Sequence, residues 1–457
     1  MGSGSPDTPG GMRNDRRTIF GWAMYDWANS AYTTTTLAVV LPALFASEIV
    51  PEGGTSFFGR AWDAESLFSL LVAFTALVAF VLSPVLGAIG DYSASKRRFL
   101  QVFAYAGALL SLLFFFLRSG DVVLTMVLFL VVETCWAVAA VFYDSFLPHL
   151  STPDTIDRIS SRGFAFGYLG GGLQFALSLA LIQLAPSIGI DDGLAARLAM
   201  IMAGLWWLGF GIFAISRLRE PAAAGKGTVR YGFKGYVRLG FSRTWRTARR
   251  LGGFPHLLLF LIAFFAYNDG VQTVIAISSV YATETLGLAV GQVAIAFLVV
   301  QVVAFLGALL FGQLATRMGA KRAILLSLVL WTGLAVFGYQ IPESNFGAFL
   351  LLAGSVGLVL GGTQALSRSL YGSMIPEEAS AEFYGFYSVF SRFSSIWGPL
   401  TFGVVNAITG SSRRAVLSLV ILFVVGFVLL AAVNVEKARS SKERWEFAGD
   451  EVEAAEA

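Results

Sequence analysis

Long apolar runs separated by short polar connections fill almost the whole chain; LFSLLVAFTALVAFVLSPVLGAI (67–89) is one of them. A helix needs about 20 apolar residues to cross a hydrocarbon core of about 30 Å. Twelve segments approach or exceed that length, at about 18–46, 65–89, 99–117, 122–147, 163–185, 194–215, 255–283, 289–314, 322–340, 347–370, 383–408 and 414–434. Lipid offers no partner to a backbone N–H or C=O, so each segment must be a helix that satisfies its own. The pattern predicts an all-α membrane protein with twelve transmembrane helices. Composition agrees: 56% of the 457 residues are hydrophobic and 13% charged, where a soluble chain carries roughly 25% charged residues.

Charge supplies the orientation. The net charge is only +3, but the cations alternate between connections. One set of connections carries 25 of the 32 Lys and Arg, among them Arg16, Arg17, Lys96, Arg97, Arg98, Lys321 and Arg322. The opposite set carries five, and Arg368 and Arg392 fall inside helices. Basic connections stay in the cytoplasm, so both termini are expected there; in a bacterial cell the membrane is the inner one. The divisions read as a disordered tail (1–17), a six-helix bundle (18–215), a basic linker (216–254), a second six-helix bundle (255–434) and a cytoplasmic tail (435–457). Within the linker, Tyr236, Val237, Leu239, Phe241 and Trp245 alternate with Arg and Lys. This is the composition of a helix lying on an anionic leaflet, and it makes nucleic acid a poor partner. Cys135 stands alone, which excludes an internal disulfide.

The halves repeat. GAIGDYSASKRR begins at Gly87 and GQLATRMGAKR at Gly312, 225 positions later, and DSFLPHLS (144–151) aligns with RSLYGSMIP (368–376) at an offset of 224. Matching offsets argue for two parallel bundles related by an axis along the membrane normal. The first loop resembles the Gly-x-x-x-Asp-x-x-Gly-x-Lys/Arg signature of the major facilitator superfamily. Gly87, Asp91, Lys96 and Arg97 match; Ala94 replaces the second Gly, and Thr316 replaces the acid in the second copy. YDWANSAY in the first segment and YNDG (267–270) in the seventh are similar to the vacuole-effluxer branch of that superfamily, which includes autophagy-related vacuolar amino-acid exporters and bacterial relatives. The resemblance implies the major facilitator fold, with segments 1, 4, 7 and 10 along a central pathway.

Against this background the polar residues inside apolar segments stand out. In AMYDWANSAY and the residues that follow, Asp26, Asn29, Ser30 and Thr33 fall at i, i+3, i+4 and i+7, which is one helix face. An acid facing lipid costs about 2.5–3.5 kcal/mol, so the stripe faces a wet cavity or another helix. Segment 7 offers a partner stripe in Asn268, Asp269 and Gln272, and segment 10 offers Gln364. On segment 4, Glu133 and Asp144 share a face about 16 Å apart. Glu133 lies near mid-membrane, where a carboxyl is protonated or paired; it is the candidate for coupling to a proton, with a structural carboxyl as the competing reading. Arg368 aligns with Asp144 across the repeat, which makes them a candidate pair at an inner gate, partly wet. Arg392 is assigned to Asp91 at the interface between halves.

The expected function is a secondary transporter that moves a small polar solute by alternating access; the resemblance implies an amino acid. A sugar, peptide, drug or lipid-like solute, or a receptor or scaffold that transports nothing, remains the alternative. An enzyme is not expected, since no Walker motif, His-rich site or Cys pair appears. The same inventory gives no metal site and no cofactor. The expected partners are the solute, the lipid bilayer and a proton or other coupling ion, with the chain a monomer.

Overall fold

The computed structural model describes residues 11–51, 53–57, 59–221 and 232–442. The first ten residues, the centre of the linker and the end of the C-terminal tail lie outside the described residues. The first half contains α1 (Arg16–Ile49), α2 (Ala64–Tyr92), α3 (Lys96–Phe116), α4 (Val122–Leu150), α5 (Ile156–Ile188) and α6 (Asp192–Ser216). The linker forms α7 (Phe233–Arg250). The second half contains α8 (Pro255–Thr285), α9 (Val290–Met318), α10 (Ala320–Gln340), α11 (Phe346–Met374) and α13 (Ser412–Ala432), with α12 (Ser380–Thr409) between the last two. A short α14 (Val435–Ser441) follows, and a two-stranded hairpin, β1 (Thr55–Phe57) against β2 (Arg60–Trp62), joins α1 to α2.

Among the described residues, eleven of these twelve helices are long and apolar enough to cross a membrane. The exception is α12, whose 30 residues give ample length but include Glu382, Ser391, Arg392, Ser394 and Ser395. It packs on α2, α4 and α8, where Glu382 and Ser394 are buried and Ser391 and Arg392 half-buried, while Ser395 is exposed. Elsewhere the usual amphipathic arrangement is inverted. On α2, Leu70, Phe74, Leu77 and Val81 follow helical spacing and are all exposed; they form a stripe for lipid tails.

Packing follows the repeat. Helix α1 lies against α5 and α6, and its counterpart α8 lies against α12 and α13. Between halves, α2 packs on α12 and α9 packs on α5. Because α2 corresponds to α9 and α5 to α12, each contact is the image of the other under one two-fold rotation. The α2–α12 crossing is tight enough that a Cβ on Gly385 would sit 2.5 Å from Pro84 Cα. Only glycine permits that separation.

The ends of α2, α4 and α6 lie on the face that carries the start of α1, the end of α13 and the described basic loops, here called the basic face. Ala94, in the α2–α3 loop, has φ +45°, the left-handed turn for which glycine is the ordinary choice. Beside it, the Arg97 backbone N–H donates to Glu220 Oε2 at 2.9 Å. Burial pushes the Glu220 carboxyl up to about 7, against the lowering effect of the Arg97 and Lys96 amides. A carboxyl raised in the folded state stabilises the fold while protonated and loses that contribution as pH rises through its folded pKa. Raising pH from about 4.5 to about 7 should therefore lower the Tm of the parent relative to Glu220→Gln. Parallel Tm–pH profiles for the two proteins would show that the carboxyl is not held this way.

Candidate functional site

The centre of the interface between halves is one arginine. Arg368, near the basic end of α11, is 3% exposed. Its Nη1 reaches Asp144 Oδ1 on α4 at 3.0 Å and Asp26 Oδ2 on α1 at 3.3 Å. Nε donates to Ser160 Oγ at 3.0 Å and Nη2 to the Ser160 carbonyl at 2.9 Å. The rings of Phe164, Trp22 and Tyr143 surround the guanidinium at 4.2, 4.8 and 5.4 Å. Tyr143 also donates to Asp26 Oδ2 at 2.7 Å, and Trp22 Nε1 to the Tyr143 carbonyl at 2.9 Å. All these partners belong to the first half, whereas Arg368 belongs to the second.

The sequence pairs Arg368 with Asp144 alone, in partly wet surroundings. The structure makes Arg368 dry and adds Asp26 as a second acid. Room for the guanidinium comes from Gly163: a Cβ there would lie 2.8 Å from Arg368 Nη2 and from Trp22, and 2.9 Å from the Tyr143 hydroxyl. Gly163, Gly167 and Gly171 are spaced by four along α5, a pattern that permits close helix packing, and Gly163 also makes the arginine's pocket. Neither Ser160 nor the aromatic cage is marked by a charge or motif.

Nearer the basic face, further contacts join the halves. Asp91 accepts from the backbone N–H groups of Ala381 and Glu382, at 3.2 and 2.8 Å, at the start of α12. A carboxylate at a helix N-terminus meets both free amides and the positive end of the helix dipole. Asp91 also pairs with Lys96 at 2.8 Å, and Lys96 donates to Ser380 Oγ at 2.7 Å and lies 2.9 Å from His149 Nε2. Arg392 therefore does not serve Asp91, contrary to the sequence expectation. It lies well inside the bundle, 3.2 Å from Glu133 Oε1 and over the ring of Trp136, because α12 runs beside α4 at that depth. In the second copy of the loop, Lys321 has no acid at position 316 and binds the carbonyls of Ala431 and Val433, each at 2.7 Å.

The remaining pathway candidates spread apart. Asp269 Oδ1 accepts from Gly398 N at 2.7 Å, and Asn268 donates to Ser394 Oγ at 2.6 Å. Both are thus bonded to α12, and among the described residues no hydrogen bond or ion pair links this stripe to Asp26. Helix α12 reaches them first because Gly398 has no side chain to hold it away. Ser30 lies in the seam with α5, where a Cβ on Gly167 would come within 2.9 Å of its Oγ. Thr33 donates to its own helix at the Ser30 carbonyl, Asn29 is buried, and Gln272 is half-buried. Gln364 accepts from Tyr168 at 2.6 Å across the halves. A cavity of about 550 Å³ opens toward the other face, lined by Phe175, Val274, Phe297, Trp331 and Phe349 among others. It is mainly apolar, and none of the eight pathway candidates lines it.

Residues 14–443 match the model of the family described as "Vacuole effluxer Atg22 like". The uncharacterised MFS-type transporter YxiO of Bacillus subtilis is 34% identical over 91% of this chain and 94% of its own. Autophagy-related protein 22 of Coccidioides immitis is 25% identical over 80% and 72%. Among solved structures, the major facilitator FucP in its outward conformation superposes with a TM-score of 0.67 at 14% identity, over 92% of this chain and 98% of its own. A bacterial homologue of the iron transporter ferroportin, in an outward-facing state, gives 0.63 at 12% over the same shares. The fold is that of the major facilitator superfamily.

The Arg368 pocket generates a steric test. Gly163→Ala leaves no space for the guanidinium between Trp22 and Tyr143, so the halves should part at the basic face. Labels on the two halves there should move apart, while Gly209→Ala, at a position with open space, should leave them in place. An unchanged separation in Gly163→Ala would show that the pocket does not hold the halves together.

Proposed function

The chain belongs to the vacuole effluxer family within the major facilitator superfamily, and from that premise we propose that it is a secondary carrier for a small polar solute, an amino acid by preference, working by alternating access coupled to protons. The observation that carries this reading is the charge count at the interface: two carboxyls, Asp26 and Asp144, share one guanidinium. The trio holds one negative charge too many, which a proton or a solute ammonium group would cancel. Neutralising either acid weakens the hold of the first half on Arg368 and favours opening at the basic face. With basic connections in the cytoplasm, that face is the inner one, both termini are cytoplasmic, and the state described here is outward-facing.

Glu133 and Arg392 make a second, deeper ion pair between the halves. A proton on Glu133 would release Arg392, so this carboxyl is the candidate for coupling. The apolar cavity near Phe297 and Trp331 favours one alternative, a drug-like or lipid-like solute. A thermal-shift screen of amino acids, peptides and hydrophobic amines on the purified protein separates the two, since a ligand of the folded state raises its apparent stability. A response to hydrophobic amines alone would replace the amino-acid reading.

With a solute from that screen, proteoliposomes test the roles of the acids. Glu133→Gln should keep solute exchange and lose accumulation driven by a pH gradient; accumulation equal to the parent's would remove Glu133 from coupling. Asp26→Asn and Asp144→Asn should each slow net flux at least about tenfold, equivalent to about 1.4 kcal/mol in a barrier, with folded yield retained. Loss of folded protein with normal flux per surviving molecule would make these residues structural.

A further inference from the structure

Helix α7 carries six cations and no acid, and its faces are the reverse of what a helix docked on a protein normally shows. The side turned to the bundle buries Gly240, Arg243 and Thr247. The side turned outward exposes Phe241 (51%) and Trp245 (62%), with Lys234, Arg238 and Arg249 on the same face. The Arg249 guanidinium lies 4.9 Å from the Trp245 ring. Large aromatics kept out of the core and flanked by cations suit the headgroup zone of a membrane, where the rings enter the acyl boundary and the cations meet phosphates. The depth agrees, because α7 rests on Val85, Ile89 and Tyr92 at the basic end of α2.

The buried side of α7 spans the seam between the two halves. Arg243 stacks over Tyr92 of α2 at 5.6 Å and pairs with Glu382 of α12 at 3.9 Å. Glu382 is also the residue whose N–H binds Asp91, so α7 lies directly over the point where α2 grips α12. Opening at the basic face separates those two helices and must break the bridge through Arg243.

We propose that α7 is a latch operated by anionic lipid: headgroups bound to Lys234, Arg238 and Arg249, with Phe241 and Trp245 inserted beside them, hold α7 across the α2–α12 seam and favour closure of the basic face. Anionic lipid is the occupant because the exposed face offers cations and rings together, and no carboxylate on α7 opposes a negative surface. Zwitterionic lipid would satisfy the rings but leave the cations without counter-charge.

The experiment measures a distance and needs no solute, so it can fail independently of the transport reading. Spin labels are placed by Arg98→Cys and Arg322→Cys, exposed positions in the first turns of α3 and α10, just after the repeat-related loops, with Cys135→Ala removing the native thiol. The protein is compared in nanodiscs of phosphatidylcholine alone and with about 30% phosphatidylglycerol. Anionic lipid should raise the ratio of short to long separations at least about threefold, an effect that weakens as salt is added. Lys234→Gln/Arg238→Gln/Arg249→Gln and Phe241→Ala/Trp245→Ala should each abolish the response. Arg243→Gln, which keeps the outer face, should abolish it as well. Identical distance distributions for the parent in the two lipids would overturn the proposal. A response that survives in the outer-face variants would place the lipid effect elsewhere and overturn it equally.

Discussion

A guanidinium buried in the middle of a membrane protein has to be paid for by its neighbours, and the arrangement around Arg368 follows from that requirement. Stripping an ion of water costs several kcal/mol even after relaxation. Here two carboxyls, a serine carbonyl, a serine hydroxyl and three aromatic faces replace the lost hydration. Because these groups come from α1, α4 and α5 while the cation comes from α11, the halves can close at this level only with the full set assembled. Gly163, the cage of rings and the placing of Asp26 make sense together as parts of a solvation shell built from protein.

The two bundles share a plan but not a lock. In the first, Asp91 caps the start of α12 and holds Lys96. In the second, Thr316 bonds the carbonyl of Gln313 in its own helix, and Lys321 turns to the carbonyls that end α13. The cap between halves is thus made once. Symmetry of the backbone sets where the contacts fall, and a single acid-to-threonine difference decides which of them crosses the interface.

The helix pattern and the repeat could be read from sequence because lipid exposure and gene-scale periodicity leave marks on every turn. Membership of the superfamily rested on Gly87, Asp91, Lys96 and Arg97, and matching offsets brought Asp144 and Arg368 together. The errors have a common physical origin. Assigning Arg392 to Asp91 treats any opposite pair at an interface as able to meet, whereas Asp91 is satisfied by Lys96 of its own loop and by two backbone amides, which carry no mark in the sequence. The local partner of Asp269 is illegible for a related reason: acceptors on buried helices take the first donor in reach, and for Asp269 that is the N–H of Gly398. Rotation of a helix about its axis by one residue changes such partners, and polarity along a chain does not record that rotation.

The polarity of α12 bears on how the protein is made. A helix carrying Glu382 and Arg392 enters a bilayer poorly by itself, since a charged residue near mid-span costs about 2.5–3.5 kcal/mol on insertion scales. Its successor α13 has a mean hydropathy of 3.0 over its most apolar stretch, and the connection between them is only a few residues long. During synthesis α12 is therefore best placed to insert as one arm of a hairpin, drawn in by α13 and received by α2, α4 and α8 already in place. Until the ribosome has released that final hairpin, Asp91 has no helix start to cap, and the seam between α2 and α12 is unmade.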